Sequence, residues 1–257
     1  MSGAAPEAAA VVVDDLHVAW EETPVFAGFH LAVEAGSFLA VVGPSGCGKS
    51  TLLRVLAGLE VPRAGTAAVG GVDVVGRPGS CAWLPQRDAL LPWRRVLDNA
   101  VLGAEVAGRP RDVSRAEAEA LLDRFGLAGT ADRWPSELSG GMRQRVAVLR
   151  TFLTPASVLL LDEPFGALDA LTRRSMQSWL GEVWAERSAG RGATALLVTH
   201  DVEEALLLAD RVVVLSAGPA EVVADERVPF ARPRSGDLVV DPSFVELRRR
   251  LLDALGV

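Results

Sequence analysis

Nine consecutive residues in the first quarter of the chain have the types and spacing that bind a phosphate chain. They are, in order, Gly43, Pro44, Ser45, Gly46, Cys47, Gly48, Lys49, Ser50 and Thr51, and the first eight follow the pattern G-x-x-x-x-G-K-S. Glycines allow the backbone to curl, so that successive N–H groups point inward at an anion. Lys49 is then able to reach the β- and γ-phosphates of a nucleotide, and the Ser50 hydroxyl is able to hold Mg²⁺.

The residues that flank this loop predict the structural context that phosphate binding requires. The apolar run Phe38–Val42 predicts a buried strand, and residues 51–57 predict a helix whose positive N-terminal end faces the loop. An ordinary glycine-rich turn between a strand and a helix is the alternative. Lys49 is the only lysine among 26 basic residues. A compact ammonium suits a phosphate, and codon bias toward arginine is the other explanation for this composition.

Two adjacent carboxylates follow a second apolar run. Residues 158–161 predict a buried strand, and Asp162 and Glu163 come directly after it. Two carboxylates at the end of a buried strand are costly unless they have a function. Asp162 is suited to hold Mg²⁺ through water, and Glu163 is suited to polarise an attacking water molecule.

The three histidines of the chain divide into two kinds. His200 follows the predicted strand 195–199, as the two acids follow theirs, and we expect it to contact a γ-phosphate. His17 and His30 lie in the predicted strand layer near the N-terminus, and we expect them to be structural.

A second candidate anion site precedes a predicted helix that ends near residue 153. Ser139, Gly140 and Gly141 stand at the start of this helix. In the simpler interpretation, Ser139 only caps the helix, next to two flexible glycines. In the functional interpretation, the serine hydroxyl and the free N–H groups of the helix N-terminus bind an anion. Because a long helical insert separates this site from the phosphate loop, it would serve another nucleotide molecule.

Two residues each have two competing interpretations. Trp20 ends the predicted strand Val11–Trp20, where it either packs on the surface layer or stacks on an adenine ring. Gln86 is the last residue of a short predicted strand at residues 81–86, which ends in Pro-Gln. It is either an ordinary loop glutamine or a ligand that binds Mg²⁺ through its amide oxygen.

The predicted elements divide the chain into a core, an insert and a C-terminal segment. The core comprises residues 11–86 and 156–225, and its first strands predict an antiparallel layer. Residues 87–155 are predicted to be mostly helical, with helices at 96–107 and 114–125, and Ser114 with Glu117 predicts a capping box for the second. Residues 226–257 predict a linker and a terminal amphipathic helix.

Composition narrows the classes of function. The net charge of −7 and the pI of about 5.1 argue against a broad nucleic-acid surface. No run approaches the roughly 18–20 apolar residues that span a membrane. Residues 1–10 lack a basic region followed by an apolar one, so we expect no signal peptide and a cytoplasmic location. The two cysteines predict no disulfide framework.

Taken together, the motifs resemble those of ATP-binding subunits of ABC transporters over nearly the whole chain. They occur in the family order and spacing, and the Ser-Gly-Gly signature between the phosphate loop and the Asp-Glu pair is highly specific. The matching segments are 43–51, Gln86, 138–141, 159–164, 167–169 and 199–201. Trp20 stands where the family usually has tyrosine, and this chain has no tyrosine.

The resemblance implies a fold, a dimer and a set of roles. The fold would be α/β, with a P-loop NTPase (RecA-like) core, an antiparallel β layer and an inserted α-helical subdomain. Two ATP molecules would lie in a head-to-tail homodimer, each between Lys49 of one copy and Ser139 of the other. Glu163 would act as the general base or position the water, and Asp169 would cross the interface. Mg²⁺ would be bound by Ser50, Gln86 and Asp162.

Closer motifs indicate a branch of the family. Segments 90–94, 142–145 and 164–173 resemble the importers of nitrate, sulfonates and taurine, and 149–152 resembles relatives that carry thiamine-pyrimidine precursors. The expected partners are membrane-spanning permease subunits docked near 87–97 and, indirectly, an extracytoplasmic solute-binding protein. The chain would then lie at the cytoplasmic face of the membrane.

A soluble ABC-type ATPase that acts on DNA or ribosomes is the competing class. Such proteins usually carry a long coiled coil or two tandem ATPase domains, and this acidic chain has neither. A kinase or a GTPase would leave the Ser-Gly-Gly signature and His200 unexplained.

Overall fold

The computed structural model describes residues 8–188 and 192–256, which form two sheets and a set of helices. The strands are β1 Val11–Trp20, β2 Thr23–Val33, β3 Phe38–Val42, β4 Ala64–Val69, β5 Val72–Asp73, β6 Ala82–Leu84, β7 Val158–Asp162, β8 Thr194–Thr199, β9 Arg211–Leu215 and β10 Val222–Arg227. The α-helices are α1 Lys49–Leu56, α2 Val96–Ala100, α3 Leu102–Val106, α4 Arg111–Leu122, α5 Gly140–Leu153, α6 Ala170–Ser188, α7 Val202–Leu208 and α8 Pro242–Leu255. Short 3₁₀ turns lie at Pro135–Glu137 and Gly236–Val240. The helix predicted after Asp169 extends to Ser188, and residue 189 lies outside the described residues.

The central sheet has six strands in the order β10-β9-β3-β8-β7-β6. All neighbours pair in parallel except the edge strand β10. Strands β3, β7 and β8 are buried along their whole length, as expected for a parallel sheet covered on both faces. In the register of the sheet, Val42 lies opposite Thr199, and Asp162 lies opposite Val198. The residues that follow these three strands therefore meet at one edge of the sheet.

An antiparallel sheet of four strands, β2-β1-β4-β5, forms the second layer. Its buried side chains pack with those of α1 and one face of the central sheet, and Leu16, Phe26, Leu39 and Leu52 belong to this cluster. Strand β2 begins at Thr23, because a turn at residues 21–22, with Glu21 at φ 52°, closes a tight hairpin with β1.

The region between β6 and β7 is helical, but two of its predicted details are wrong. The predicted helix 96–107 is divided into α2 and α3 at Val101. Helix α4 begins at Arg111 rather than after Ser114, so the predicted capping box does not form. Ser114 is buried inside the helix and donates to the carbonyl of Pro110 at 3.0 Å. Arg111 extends the first turn by pairing with Asp98 at 3.0 Å.

The chain ends in a segment that returns to the core. Helix α8 is capped by Asp241, whose carboxylate accepts from the backbone N–H of Ser243 at 2.8 Å. The apolar side of α8 buries Phe244, Leu247 and Leu251 in the large cluster on the other face of the central sheet. None of the helices within the described residues is long and apolar enough to cross a membrane.

Candidate functional site

The phosphate loop lies between β3 and α1 and is shaped by its glycines. Gly46 and Gly48 have φ values of 80° and 112°, in the left-handed region that favours glycine. A Cβ atom at Gly48 would lie 2.4 Å from Cγ1 of Val25, whereas one at Gly46 would meet open space. The loop therefore packs closely against β2 on one side and leaves room on the other. Gly48 is also the N-cap of α1 and offers no side chain to its first N–H groups, which suits an anion at this position.

Lys49 lies inside this loop and is almost completely buried, with 6% exposure. Its Nζ donates to the carbonyl oxygens of Gly43 at 2.7 Å and Pro44 at 2.8 Å. The loop thus holds the ammonium where phosphate oxygens are able to replace these carbonyls. Cys47 is buried as well, so its backbone rather than its thiol would face a phosphate.

Ser50 and Asp162 meet beneath the loop. The Ser50 hydroxyl donates to Oδ1 of Asp162 at 3.0 Å. Burial raises the pKa of Asp162, and the nearby Glu163 charge adds to this, while the bond from Ser50 and the charges of Arg54 and Lys49 oppose it. A hydroxyl and a buried carboxylate side by side are hard oxygen donors of the kind that Mg²⁺ prefers. These two residues fit the metal that the sequence implied.

Glu163, His200 and Gln86 converge beside this pair from three different strand ends. Oε1 of Glu163 lies 3.5 Å from Nδ1 of His200, and Oε2 lies 3.3 Å from Nε2 of Gln86. Glu163 has a φ of 48°, and its backbone N–H donates to the carbonyl of Val198 at 2.9 Å. This left-handed turn at the end of β7 is uncommon for a residue other than glycine. In this conformation the Glu163 carboxylate lies between the side chains of His200 and Gln86.

The signature residues lie at the start of α5. Ser139 caps that helix by accepting from the N–H of Met142 at 3.2 Å, and Ser139 and Gly140 are exposed. A Cβ atom at Gly141 would lie 3.4 Å from Cδ2 of Leu168. Within one copy of the chain, the simpler interpretation of Ser139 as a helix cap is therefore realised. The same geometry leaves the N-terminal end of α5 open at the surface.

Asp169 and Trp20 are also at the surface. Oδ1 of Asp169 accepts from the N–H of Thr172 at 3.1 Å, and its hydrogen bonds to Thr172 hold the pKa of its carboxyl below the usual value. Trp20 is the last residue of β1, pairs with Thr23 and is 46% exposed. Asp169 and Ser139 thus each accept a hydrogen bond from the first turn of the helix that follows them. Neither of these two bonds involves the phosphate loop.

Sequence reasoning missed a connection between the segment after Gln86 and helix α5. Nε of Arg143 lies 3.0 Å from Oδ2 of Asp88, and Nη1 donates to the carbonyl of Leu138 at 2.9 Å. Arg150 donates to the carbonyls of Asp88 and Ala89, both at 2.8 Å. The segment that carries Gln86 is thus fastened to the helix that carries Ser139. In the sequence, the sign of this connection is that a largely apolar helix carries arginines, but the sequence does not indicate which residues they contact.

Sequence reasoning also missed a buried acid near His200. Glu204 lies in the first turn of α7, is 4% exposed and accepts from Nε2 of Gln177 at 3.1 Å. Burial raises the pKa of Glu204 to about 7. A buried acid whose pKa is shifted in this way is a candidate functional residue.

Comparison with known proteins agrees with this geometry. A family profile described as ABC transporter matches residues 26–166. The chain is 46% identical, over 95% of its length and 82% of the relative, to the aliphatic sulfonates import ATP-binding protein SsuB of Albidiferax ferrireducens. It is 43% identical, over 95% of both chains, to the taurine import ATP-binding protein TauB of Chromobacterium violaceum.

Solved structures give the same result for the fold. The ATP-binding cassette MJ0796, in a dimeric post-hydrolysis state bound to ADP and Pi, superposes with a TM-score of 0.74. The two chains are 25% identical, and the match covers 86% of this chain and 100% of that one. The predicted α/β fold class is therefore confirmed. The chain belongs to the ABC transporter family.

Proposed function

We propose that this chain is the ATP-hydrolysing subunit of an importer that carries an organosulfonate such as taurine. ATP hydrolysis that powers transport is the activity of ABC transporter ATP-binding proteins. The sulfonate class is supported by the two relatives described above, an aliphatic sulfonates import protein and a taurine import protein, which match over almost the whole chain. These two relatives are named for aliphatic sulfonates and taurine rather than for nitrate or a thiamine-pyrimidine precursor.

The convergence of Lys49, Asp162, Glu163 and His200 at one edge of the parallel sheet carries the ATP-hydrolysis part of this proposal. The phosphates of ATP would lie on the loop, where Lys49 would exchange its two carbonyl partners for phosphate oxygens. Glu163 would accept a hydrogen bond from the attacking water and align it, and His200 would donate to the γ-phosphate. Most of the rate gain would come from such positioning and charge stabilisation.

Mg²⁺ is the expected metal of this site. Ser50 and Asp162 would hold it, and Gln86 would join them through its amide oxygen. When bound, Mg²⁺ neutralises charge that develops on the phosphate oxygens. Burial of Asp162 favours a cation at this place, because the buried carboxylate otherwise has only the Ser50 hydroxyl and more distant positive charges to compensate it.

A second copy of the chain would complete each ATP site. The exposed N-terminus of α5, with Ser139, Gly140 and Gly141, would face the phosphates held by Lys49 of the other copy. Asp169 lies nearby, since Leu168 packs against Gly141, and it would contact the partner copy. Trp20 has an exposed ring and would stack on adenine. The dimeric state of MJ0796 supports this arrangement.

The segment after Gln86 would dock the membrane-spanning permease. Trp93 is 71% exposed, although hydrogen bonds hold the segment on either side of it. The buried side chain of Asn99 accepts from the N–H of Leu91 at 2.7 Å and donates to the carbonyls of Arg94 and Arg95. An exposed aromatic ring on a fixed loop suits a protein interface. Through the permease the chain would work with an extracytoplasmic solute-binding protein, at the cytoplasmic face of the membrane.

A transport test separates the solute from the ATPase chemistry. In the source organism, deletion of the gene should abolish growth on taurine or an alkylsulfonate as the only sulfur source, and the wild-type gene should restore it. A gene copy that carries Glu163→Gln should not restore growth of the deletion strain on the sulfonate. Normal growth of the deletion strain on every sulfonate would refute the proposed solute class.

A pull-down separates transport from the competing soluble ATPase. Tagged Glu163→Gln protein, solubilised from membranes with ATP, should co-purify with a polytopic permease. Recovery with ribosomes or DNA, and absence from membranes, would overturn the transport proposal and leave the ATPase chemistry in place.

A further inference from the structure

Helix α7 begins two residues after His200 and is held at both ends by the C-terminal arm, defined here as residues 228–256. This helix has only seven residues. An isolated helix of that length is not stable in water, so its position depends on its packing and on its end contacts. Because His200 directly precedes Asp201, the N-cap of α7, the position of the helix also sets that of the imidazole.

Two arginines of the arm occupy the C-terminal end of α7. Nη1 of Arg234 donates to the carbonyl oxygens of Leu206 at 3.0 Å and Ala209 at 2.6 Å. Nη2 of Arg232 donates to the carbonyl oxygen of Leu208. The last carbonyls of a helix have no partner within it, and positive charge is favourable at this end of the helix dipole. The arm therefore satisfies the open end of α7 with two guanidinium groups.

Both arginines are themselves fixed in place. Nε of Arg234 donates to the carbonyl of Phe230 at 3.0 Å, and burial lowers the pKa of Arg234 to about 10, so that it remains charged at neutral pH. Nε of Arg232 lies 2.8 Å from Oδ1 of Asp210, and its guanidinium lies over the ring of Phe38 at 5.6 Å. Asp210 in turn accepts from the N–H of Phe38 at 2.9 Å. Arg232 thus connects α7 to Phe38, the first residue of β3.

The arm also reaches the N-terminal end of α7. Nη1 of Arg248, on α8, lies 3.0 Å from Oε2 of Glu203 in the first turn of α7. Leu247 and Leu251 of α8 are buried in the cluster that contains Ala205 and Leu206 of α7. Both ends and one side of the helix are therefore in contact with the arm.

We infer that Arg232 and Arg234 are positioning residues for ATP hydrolysis, which act by holding α7 so that His200 stays beside Glu163. This inference rests on the proposed role of His200. Desolvating two arginines is costly, and replacing buried charges by apolar residues is often neutral or stabilising. Apolar side chains would therefore be enough to pack the C-terminal end of α7, and packing does not explain why two arginines lie there. A planar fork bonded to several carbonyls does fix the end of a helix in one position.

The primary test is Arg234→Gln in the full chain. We expect kcat for ATP to fall about tenfold, because small displacements of a reacting group are costly. We expect KM and the affinity of the monomer for ATP to stay within about twofold, because the phosphate loop lies on β3 and α1. Arg234→Lys keeps the charge without the fork and should recover part of kcat.

Histidine NMR gives a readout that a loss of stability alone would not produce. The chain has three histidines, so the ring signals are assignable with single histidine variants. In folded Arg234→Gln, the His200 signal should shift or broaden, while His17 and His30 should not change. Arg250→Gln is the matched control. Arg250 lies on the same arm but pairs with Glu226 at 2.9 Å, and this variant should retain wild-type kcat and the wild-type His200 signal.

Three results would overturn the inference. They are wild-type kcat in folded Arg234→Gln, an unchanged His200 signal despite a lower kcat, and an equal loss in Arg250→Gln. If Arg234→Gln does not fold, Arg234→Lys and Arg232→Lys carry the same comparison. His200→Ala is measured in parallel. Full activity in His200→Ala would refute the proposed role of His200, whereas lost activity there together with full activity in Arg234→Gln would refute only the role of the arm.

Discussion

At the scale of single residues, Glu163 combines the features that suit a group acting on water. Its carboxylate stands between His200 at 3.5 Å and Gln86 at 3.3 Å, and its backbone is held in a left-handed turn by Val198. Lys49 and Asp162 supply a buried cation and a buried anion beside it. Each of these side chains has a separate proposed task, so single substitutions should separate binding from hydrolysis.

Glu163→Gln should remove hydrolysis while retaining ATP. A general base contributes about 100-fold or more to the rate, and the amide keeps the size of the side chain but accepts protons poorly. We expect a stable ATP-bound dimer on size-exclusion chromatography and almost no phosphate release. Glu182→Gln, an exposed acid that pairs with Arg124 at 3.6 Å, is the control and should behave as wild type. Normal turnover by Glu163→Gln would remove Glu163 from this role.

Ser139 has two separable contributions, as a helix cap and as a proposed contact across the dimer. Ser139→Ala should cost about 1 kcal/mol of stability through the lost cap and should abolish hydrolysis, with ATP binding to the monomer intact. Ser139→Asp keeps a good cap but brings negative charge toward the phosphates. It should therefore regain stability in urea unfolding without regaining hydrolysis. Recovery of hydrolysis by Ser139→Asp would show that only the cap matters.

At the scale of elements, the ends of β3, β7 and β8 gather the proposed catalytic groups. This part was predictable, because each group follows an apolar run of strand length and the carboxyl ends of parallel strands meet at one edge. The connection of Asp88 to Arg143 was not predictable, because 55 residues separate them and only tertiary packing brings them together. The capping box at Ser114 failed because Pro110 and the ion pairs of Arg111 start the helix earlier.

Asn99 supports the segment proposed to dock the permease, and its removal should loosen that segment. Asn99→Ala would remove the hydrogen bonds that the buried amide makes with the N–H of Leu91 and with the carbonyl of Arg94. Such losses cost roughly 1–3 kcal/mol per buried group. We expect lower stability in urea unfolding and weaker co-purification of the permease. Unchanged stability would show that the segment is held by other contacts.

Trp93→Ala is the complement of that variant, since it removes the exposed ring without disturbing its support. Surface substitutions of this kind usually change stability by about 0.5 kcal/mol or less. Co-purification of the permease should nevertheless decrease, because aromatic side chains often dominate interfaces. Retention of the permease by Trp93→Ala would place the docking surface elsewhere.

At the scale of the whole molecule, the central sheet is covered by the antiparallel layer and α1 on one face and by the other helices on the other. The C-terminal arm closes the second face, where Phe244 and Leu251 of α8 are fully buried. Its contacts with α7 were hidden from the sequence, because Arg232 and Arg234 occur in a segment with the composition of a linker. The stability of the molecule therefore depends on groups far apart in the chain, and Glu204 connects that stability to pH.

Stability should fall as pH rises through the titration of Glu204. The pKa of Glu204 is raised from 4.5 to about 7 by burial, so the folded chain binds more protons than the unfolded chain between these values. The free energy of unfolding then decreases with pH in that window, by about 3 kcal/mol in total from this group. Glu204→Gln removes the charge and keeps a hydrogen-bonding side chain beside Gln177.

Urea unfolding at pH 5 and pH 8 tests this difference. Glu204→Gln should match the wild type at pH 5 within about 1 kcal/mol and exceed it at pH 8, because only the wild type then carries a buried negative charge. Glu221→Gln, which alters an exposed acid, should change stability little at either pH. A wild type and a Glu204→Gln variant with parallel pH profiles would show that Glu204 ionises in the folded chain as it does in water, because water or neighbouring donors reach the carboxylate.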